Sequence, residues 1–389
     1  MTVRSTRAVT TSIPLRPTVA GVALVALFAG LLAGCTPRTP GASDTPLTTP
    51  STKVTASPSS GQAGALVPRG RPATVTSGLD APWSIVFVDG VTLVSERDTG
   101  RILEIGADGS HREVGTVPGV VHGGEGGLLG LAVDPQRRLY VYSTGQHGNR
   151  IQRFPLTGAA GSLGLGRPVE TVLDHLPSGG IHNGGRIAFG PDGMLYAGVG
   201  DSGQNTLAQD RTSLGGKILR MTPDGAVPPD NPFAGSLIWS YGHRNVQGLA
   251  WAGDGTMFAT EFGQNTWDEL NVIVPGGNYG WPVVEGRGGT DRGFRDPVQQ
   301  WRTDQASPSG LARAGDTLFI ANLRGQVLRT VPVASPGTAT DHYRGTYGRL
   351  RDVTVAPDGR LWILTNNTDG RGTPAADDDR ILAVDLGTP

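Results

Sequence analysis

The chain has one cysteine, Cys35, among 389 residues. No disulfide can form within it, and no multi-thiolate metal site can be built. Seven histidines are too few for a histidine-rich metal tract, yet enough for one catalytic group. A formal net charge of −1 gives no general electrostatic case for binding nucleic acid. No apolar run reaches the roughly 20 residues that a confident membrane-spanning helix needs. What the chain has in quantity is glycine and proline, 60 and 29 residues. They lack the three-residue glycine period of collagen. Such a composition suits an all-β chain with many tight turns.

Residues 1–18 carry Arg4, Arg7 and Arg16 and no acid, and an apolar run follows from Val19 to Ala33. A positive head before a short apolar run reads as a secretory signal over residues 1–34. The run ends in Leu32-Ala33-Gly34-Cys35, which resembles the bacterial lipoprotein processing box. That resemblance implies that Cys35 becomes the lipid-bearing first residue of the mature chain. Durable anchoring then needs two or more acyl chains, since one holds only marginally. Residues 36–70 are mostly Pro, Thr, Ser, Gly and Ala without a sustained apolar period. Such a segment cannot bury enough surface to offset its ordering entropy. It is expected to be a spacer, placing a domain over 71–389 outside the cell membrane.

That domain repeats one theme six times. An apolar strand runs into a turn containing Asp or Gly, then a second strand, a polar loop and a third strand. The copies start at Trp83, Leu128, Gly185, Gly248, Gly310 and Arg351. Their turn aspartates are Asp89, Asp134, Asp192, Asp254, Asp316 and Asp358, spaced by 45, 58, 62, 62 and 42 residues. This is a blade period with insertions. The strands alternate with period two and break at turns such as Pro-Asp-Gly. No long amphipathic helical pattern interrupts them. The expected fold is all-β, a six-bladed β-propeller of four-stranded antiparallel blades, whose radial repetition protects strand edges. Residues 73–77 are placed to pair with the last strand near Leu382 and close the ring. Insertions near 157–180, 202–216 and 274–307 are expected on one binding face.

Polar residues gather at strand ends. His182-Asn183-Gly184-Gly185-Arg186 precedes one inner strand, and Asp201 ends its neighbour. Tyr241 to Gly248 precedes the blade-four strand, and Glu261 to Glu269 follows its partner. Arg324, Arg349 and Arg351 take comparable places in blades five and six. Equivalent positions in different blades converge on the axis, so one imidazole, several guanidiniums and some carboxylates should ring one well. Guanidiniums crowded there repel one another unless an anion is present.

The strings GGLLGLA, HNGGRI, GDSG, LGGKILR, GHRNVQGLAW, DELN, GGNYGWP and RLRDV together resemble the soluble quinoprotein glucose dehydrogenases, especially their aldose sugar dehydrogenase branch. The resemblance spans 75–386. It implies a six-bladed propeller binding pyrroloquinoline quinone (PQQ) and calcium, which oxidises an aldose at its anomeric carbon to a lactone and passes electrons to an external acceptor. By the same resemblance His182 is the base, suited to this near neutral pH, and Asp201 orients it. Arg244 stabilises charge at the reactive quinone oxygen. Glu125, Asn245 and Gln247 contact the cofactor, and Arg324, Arg349 and Arg351 match its carboxylates. The carbonyls of Gly263 and Gln264 hold the active-site calcium, a hard ion that accepts carbonyl oxygen. Glu269, with Asp268 beside it, resembles a ligand of a second, structural calcium.

Three positions depart from the family pattern. Glu125 replaces a usual glutamine, and a carboxylate beside an anionic cofactor is unfavourable unless calcium or an arginine compensates. Gln264 stands where proline is common, and Phe262 where a polar residue is. Blander readings exist for each site residue. His182 can satisfy backbone groups in the channel, Arg244, Arg349 and Arg351 can pair with acids such as Asp352, Asp201 can be a turn former, and Glu269 can be a solvated acid. Tyr279 and Trp281 read as packing anchors. Two other functions compete: a lipoprotein propeller that binds glycan or protein without turnover, and a calcium-dependent lactonase.

Overall fold

The structure is a computed structural model that describes residues 64–389. The expected signal segment, Cys35 and residues 36–63 lie outside the described residues. The described chain forms six antiparallel blades, each of four main strands. Among the described residues there is no α-helix, only two short 3-10 turns, Asn205–Ala208 and Thr290–Arg292.

The first strands of the blades are Pro82–Val88, Leu128–Val133, Ile187–Phe189, Val246–Trp251, Pro308–Ala314 and Leu350–Val355. All six contribute to one central cavity of about 360 Å³, lined among others by Ser84, Leu131, Arg186, Leu249, Leu311 and Asp352. They therefore line the axis. Neighbouring blades meet face to face through six separate apolar clusters. Strand alternation explains how one blade serves two of them. Leu249 packs towards blade three while Ala250 packs towards blade five. Likewise, Leu382 faces blade five and Ala383 faces blade one. Fully burying one such leucine contributes about 1.5–3 kcal/mol.

The ring closes as expected. Val67–Thr76 is the outermost strand of blade six and pairs antiparallel with Ile381–Gly387, with Thr74 opposite Leu382. This strand begins earlier than the sequence suggested, because residues 67–70 belong to it rather than to the spacer. As an edge strand it tolerates Pro68 and Pro72, which a central strand would not. Those prolines make it read as linker.

The insertions do not share one face. The 202–216 loop connects second and third strands, but 158–169 connects the third and fourth strands of blade two. In an antiparallel blade that connection leaves on the side of the first turn, and Arg137 of the Asp134 turn donates to the Gly158 carbonyl at 3.2 Å. Two insertions also contain the fourth strands of their blades, Glu170–Leu176 and Gln299–Arg302.

Candidate active site

The site is built at the strand ends of blades two, three, four and six. Asp201 follows the strand Leu195–Val199, and His182 precedes the strand Ile187–Phe189 of the same blade. A Cβ at Gly200 would lie 1.9 Å from the His182 carbonyl oxygen, so only glycine lets these two segments approach. His182 itself sits at φ 55°, a left-handed conformation uncommon for a side-chain-bearing residue. Its Nδ1 lies 2.7 Å from Asp201 Oδ1. That contact orients the ring and leaves Nε2 as the other nitrogen. Asp201 accepts two more bonds, from the Gly203 amide at 2.8 Å and from the Trp281 indole N–H at 2.8 Å. Burial disfavours its carboxylate, but the bonds from His182, Gly203 and Trp281 outweigh it and hold Asp201 below the usual range. The carboxylate is therefore ionised and acts through the imidazole.

Arg244 continues this cluster. Its carbonyl accepts the Asp201 amide at 2.8 Å, and its guanidinium lies 5.5 Å from the Trp281 ring centroid. The guanidinium donates to the Phe262 carbonyl at 3.0 Å. Burial pushes its pKa down, opposed by Asp201, Glu261 and Glu125. Glu261 accepts the Arg244 amide and is itself fixed by His243 at 2.8 Å. His243 stacks on Tyr279 and is fully buried, which makes it a structural brace.

Gln247 and Arg351 meet across the axis. Gln247 Oε1 accepts from Arg351 at 2.8 Å and from the Ser309 hydroxyl at 3.0 Å. Asn245 accepts the Gly184 amide at 2.9 Å, tying blade four to the His182 segment. Arg349 pairs with Asp369 at 3.1 Å, and Arg351 stands 4.0 Å from the same carboxylate. Asp369 is the partner of these arginines. Asp352 pairs with Arg186 at 3.1 Å because its side chain lies on the axis. Burial pushes the Arg351 guanidinium down to about 9, and Arg349 and Arg97 add repulsion. Four buried donors on these arginines and on Asn245 have no partner among the described residues: Arg244 Nε, Arg349 Nε, Arg351 Nε and Asn245 Nδ2. Each unmade buried bond costs about 1–3 kcal/mol.

Three further expected residues have their own surroundings. Arg324 is exposed in the turn between the strands Thr317–Asn322 and Val327–Pro332 and joins none of these bonds. Glu125 accepts from the protein itself, from the His182 amide at 2.8 Å and from Arg371 at 3.0 Å. Glu269 is buried rather than solvated, and burial with the neighbouring Glu261 raises its pKa.

The 263–267 loop is organised by two carboxylates. Asp268 accepts the Gly263 amide at 2.8 Å and the Ser307 amide at 2.6 Å. Burial pushes it up to about 6. One oxygen of Glu285 accepts the amides of Gln264, Asn265, Thr266 and Trp267 at 2.8–3.1 Å. An N–H and the preceding C=O of a trans peptide point in opposite directions. The carbonyls of Gly263 and Gln264 are thus turned away from Glu285, and neither accepts a hydrogen bond among the described residues. No cluster of three or more His, Cys, Asp or Glu side chains is arranged to hold a metal among the described residues. A cation at this loop would rely on carbonyl oxygen.

Residues 79–374 match the family described as Glucose / Sorbosone dehydrogenase. The chain belongs to that family. Among its relatives is aldose sugar dehydrogenase YliI of Escherichia coli (strain K12), 31% identical over 335 residues, or 75% of this chain and 89% of that protein. Quinoprotein glucose dehydrogenase B of Acinetobacter calcoaceticus is 36% identical over 252 residues, 54% of this chain and 52% of that protein. Among solved structures, the PQQ-bound form of aldose sugar dehydrogenase from Streptomyces coelicolor is 50% identical. It aligns over 84% of this chain and 99% of that one with a TM-score of 0.78.

Several residues of this dehydrogenase-family site escaped the sequence reading. Trp281 reads as a packing anchor in the sequence, yet its indole N–H donates to Asp201. Its place in the GGNYGWP string was the only signal. Asp369, Arg371 and Glu285 lie outside the motif strings and act through contacts 18 to 246 residues away in sequence.

Proposed function

We propose that the chain is a PQQ- and calcium-dependent dehydrogenase that oxidises an aldose at its anomeric carbon to the lactone and passes electrons to an external acceptor. The observation that carries this reading is the set of unpartnered buried donors on Arg244, Asn245, Arg349 and Arg351 beside the His182–Asp201 pair. Such donors fit a small anion with several oxygens, and a polycarboxylate matches guanidinium forks best. Bound PQQ supplies the hydride-accepting chemistry, which is the cofactor's own. The residues of the chain bind, orient and move a proton. Asn245 and the guanidiniums of Arg349 and Arg351 hold the cofactor. Gly263 and Gln264 would give calcium their free carbonyls, held in place by Asp268 and Glu285. His182, with Nδ1 engaged by Asp201, takes the anomeric hydroxyl proton at Nε2. Asp201 stabilises the imidazolium that results. Arg244 offers its positive charge where negative charge develops.

The same reading puts the protein outside the cell membrane, held by a lipid on Cys35, with the residues between Cys35 and the strand Val67–Thr76 as spacer. It rests on the processing box and the preceding apolar run.

The test uses the full chain. Stripped with chelator and resupplied with PQQ and calcium, it should bleach a dye acceptor only when an aldose is added. His182→Ala should lower turnover by at least about 10³-fold while keeping PQQ uptake. A wild-type chain that takes up no PQQ over a wide concentration range would end the proposal.

A further inference from the structure

Glu125 poses an electrostatic problem that the fold answers. It sits in the loop before blade two, pressed against the His182 segment. Its amide donates to the Gly180 carbonyl at 2.9 Å, and a Cβ at neighbouring Gly124 would lie 2.1 Å from that same oxygen. The side chain is only 17% exposed. One oxygen accepts the His182 amide, which helps hold that residue at its left-handed φ. The other accepts Arg371, from a blade-six loop 246 residues away. Arg371 in turn donates its amide to Asp369 at 2.9 Å, and Asp369 pairs with Arg349. A continuous polar chain therefore crosses the mouth: His182, Glu125, Arg371, Asp369, Arg349. Glu125 also lies near enough to Arg244 and Arg351 to act on both charges.

We propose that Arg371 is a positioning residue that cancels the charge of Glu125, so that a carboxylate can brace the His182 turn at the rim of an anion-binding well. This rests on the PQQ reading above. An amide at position 125 could accept the His182 amide without any counter-charge. A carboxylate does so more strongly, since a charged acceptor strengthens the bond, but uncancelled it repels an anionic ligand. Arg371 is thus needed only while position 125 carries a carboxylate: its loss should be harmful beside Glu125 and tolerated beside a glutamine.

The experiment compares full-length wild type, Arg371→Gln, Glu125→Gln and the double variant, by two readouts. The first is PQQ affinity by fluorescence titration in calcium. Arg371→Gln should weaken uptake by about tenfold or more, and adding Glu125→Gln should restore most of the loss. The second is amide hydrogen exchange over 179–184 in protein stripped of cofactor. Arg371→Gln should speed it by about threefold or more, and the double variant should return it towards wild type. An Arg371→Gln protein unchanged in both readouts overturns the proposal. So does a double variant no better than Arg371→Gln, which would make Arg371 a direct ligand or a general structural prop. If wild type takes up no PQQ, the cofactor reading fails, and the exchange experiment alone decides whether the pair braces His182.

Discussion

The two ends of the propeller use the same residue types in opposite ways. At the turn end, four aspartates serve their own turns, although Asp89 meets Arg137 of the next blade at 2.6 Å. Asp134 accepts the Gln136 amide, Asp192 that of Met194, Asp254 that of Thr256 and Asp358 that of Arg360, always two residues on. At the mouth, carboxylates and arginines bond across blades. Asp201 reaches Trp281 over 80 residues, Arg351 reaches Gln247 over 104, and Glu125 reaches Arg371 over 246. Where the four turn aspartates bond further, as Asp192 does with Arg220 at 3.0 Å, the partner lies in the same blade, and such bonds give only stability. A long-range network that leaves buried donors unpartnered holds a shape for something else. Removing a mouth residue should therefore damage chemistry or uptake, and removing a turn residue should damage only stability.

The largest effect expected from this contrast is at Asp201. Asp201→Asn keeps the shape but removes the charge that orients His182 and stabilises its protonated form. Turnover should fall by about 10²-fold or more with little change in PQQ affinity. The pH dependence has a fixed sign. Asp201 is held below its ordinary value of 3.8 in the folded protein. Its contribution to stability is full above that value and is lost as pH falls through the lowered one. The difference in melting temperature between wild type and Asp201→Asn should be constant at neutral pH and shrink below about pH 4. A gap that widens on acidification would contradict the geometry.

Arg351 comes next. A buried charge without full partners is a cost to the empty protein. Arg351→Met should leave the cofactor-free melting temperature unchanged or raise it, and weaken PQQ uptake by about 10- to 100-fold. A large loss of stability without loss of affinity would move Arg351 to the structural side of the comparison. Trp281→Phe is the finer probe, because it removes one bond to Asp201 and keeps the ring beneath Arg244. Turnover should drop by about three- to tenfold, a hydrogen bond's worth, with the Michaelis constant nearly unchanged. An equal rise in the Michaelis constant would make the indole a sugar contact instead.

Legibility follows the same division. The blades, their number and the closing strand were readable because the turn period and strand alternation are local properties. His182, Asp201, Arg244, Gln247 and Arg351 were readable because they lie in dense motif strings. Asp369 and Arg371 were not, since nothing local marks an acid and an arginine in a polar loop as a bridge to blade two. Asp352 looked like the natural partner of Arg351 because it is adjacent in sequence. On a strand, adjacent side chains point to opposite faces, so the neighbour in sequence is the poorer candidate.

The smallest effect tests the turn end directly. Asp358 accepts the Arg360 amide at 3.0 Å and pairs with the Arg360 side chain at 2.8 Å, on an exposed turn of blade six. The exposed ion pair is worth little, so the loss in Asp358→Ala is mainly the turn bond. Unfolding free energy should fall by about 1 kcal/mol. Turnover and PQQ affinity should match wild type, because the first strand of the blade, Leu350–Val355, separates this turn from Arg351. A measurable fall in affinity would show that the turn sets the register of that strand, and with it the position of Arg351. The two ends of the propeller would then be coupled, and the division between shape and chemistry would have to be drawn within each blade.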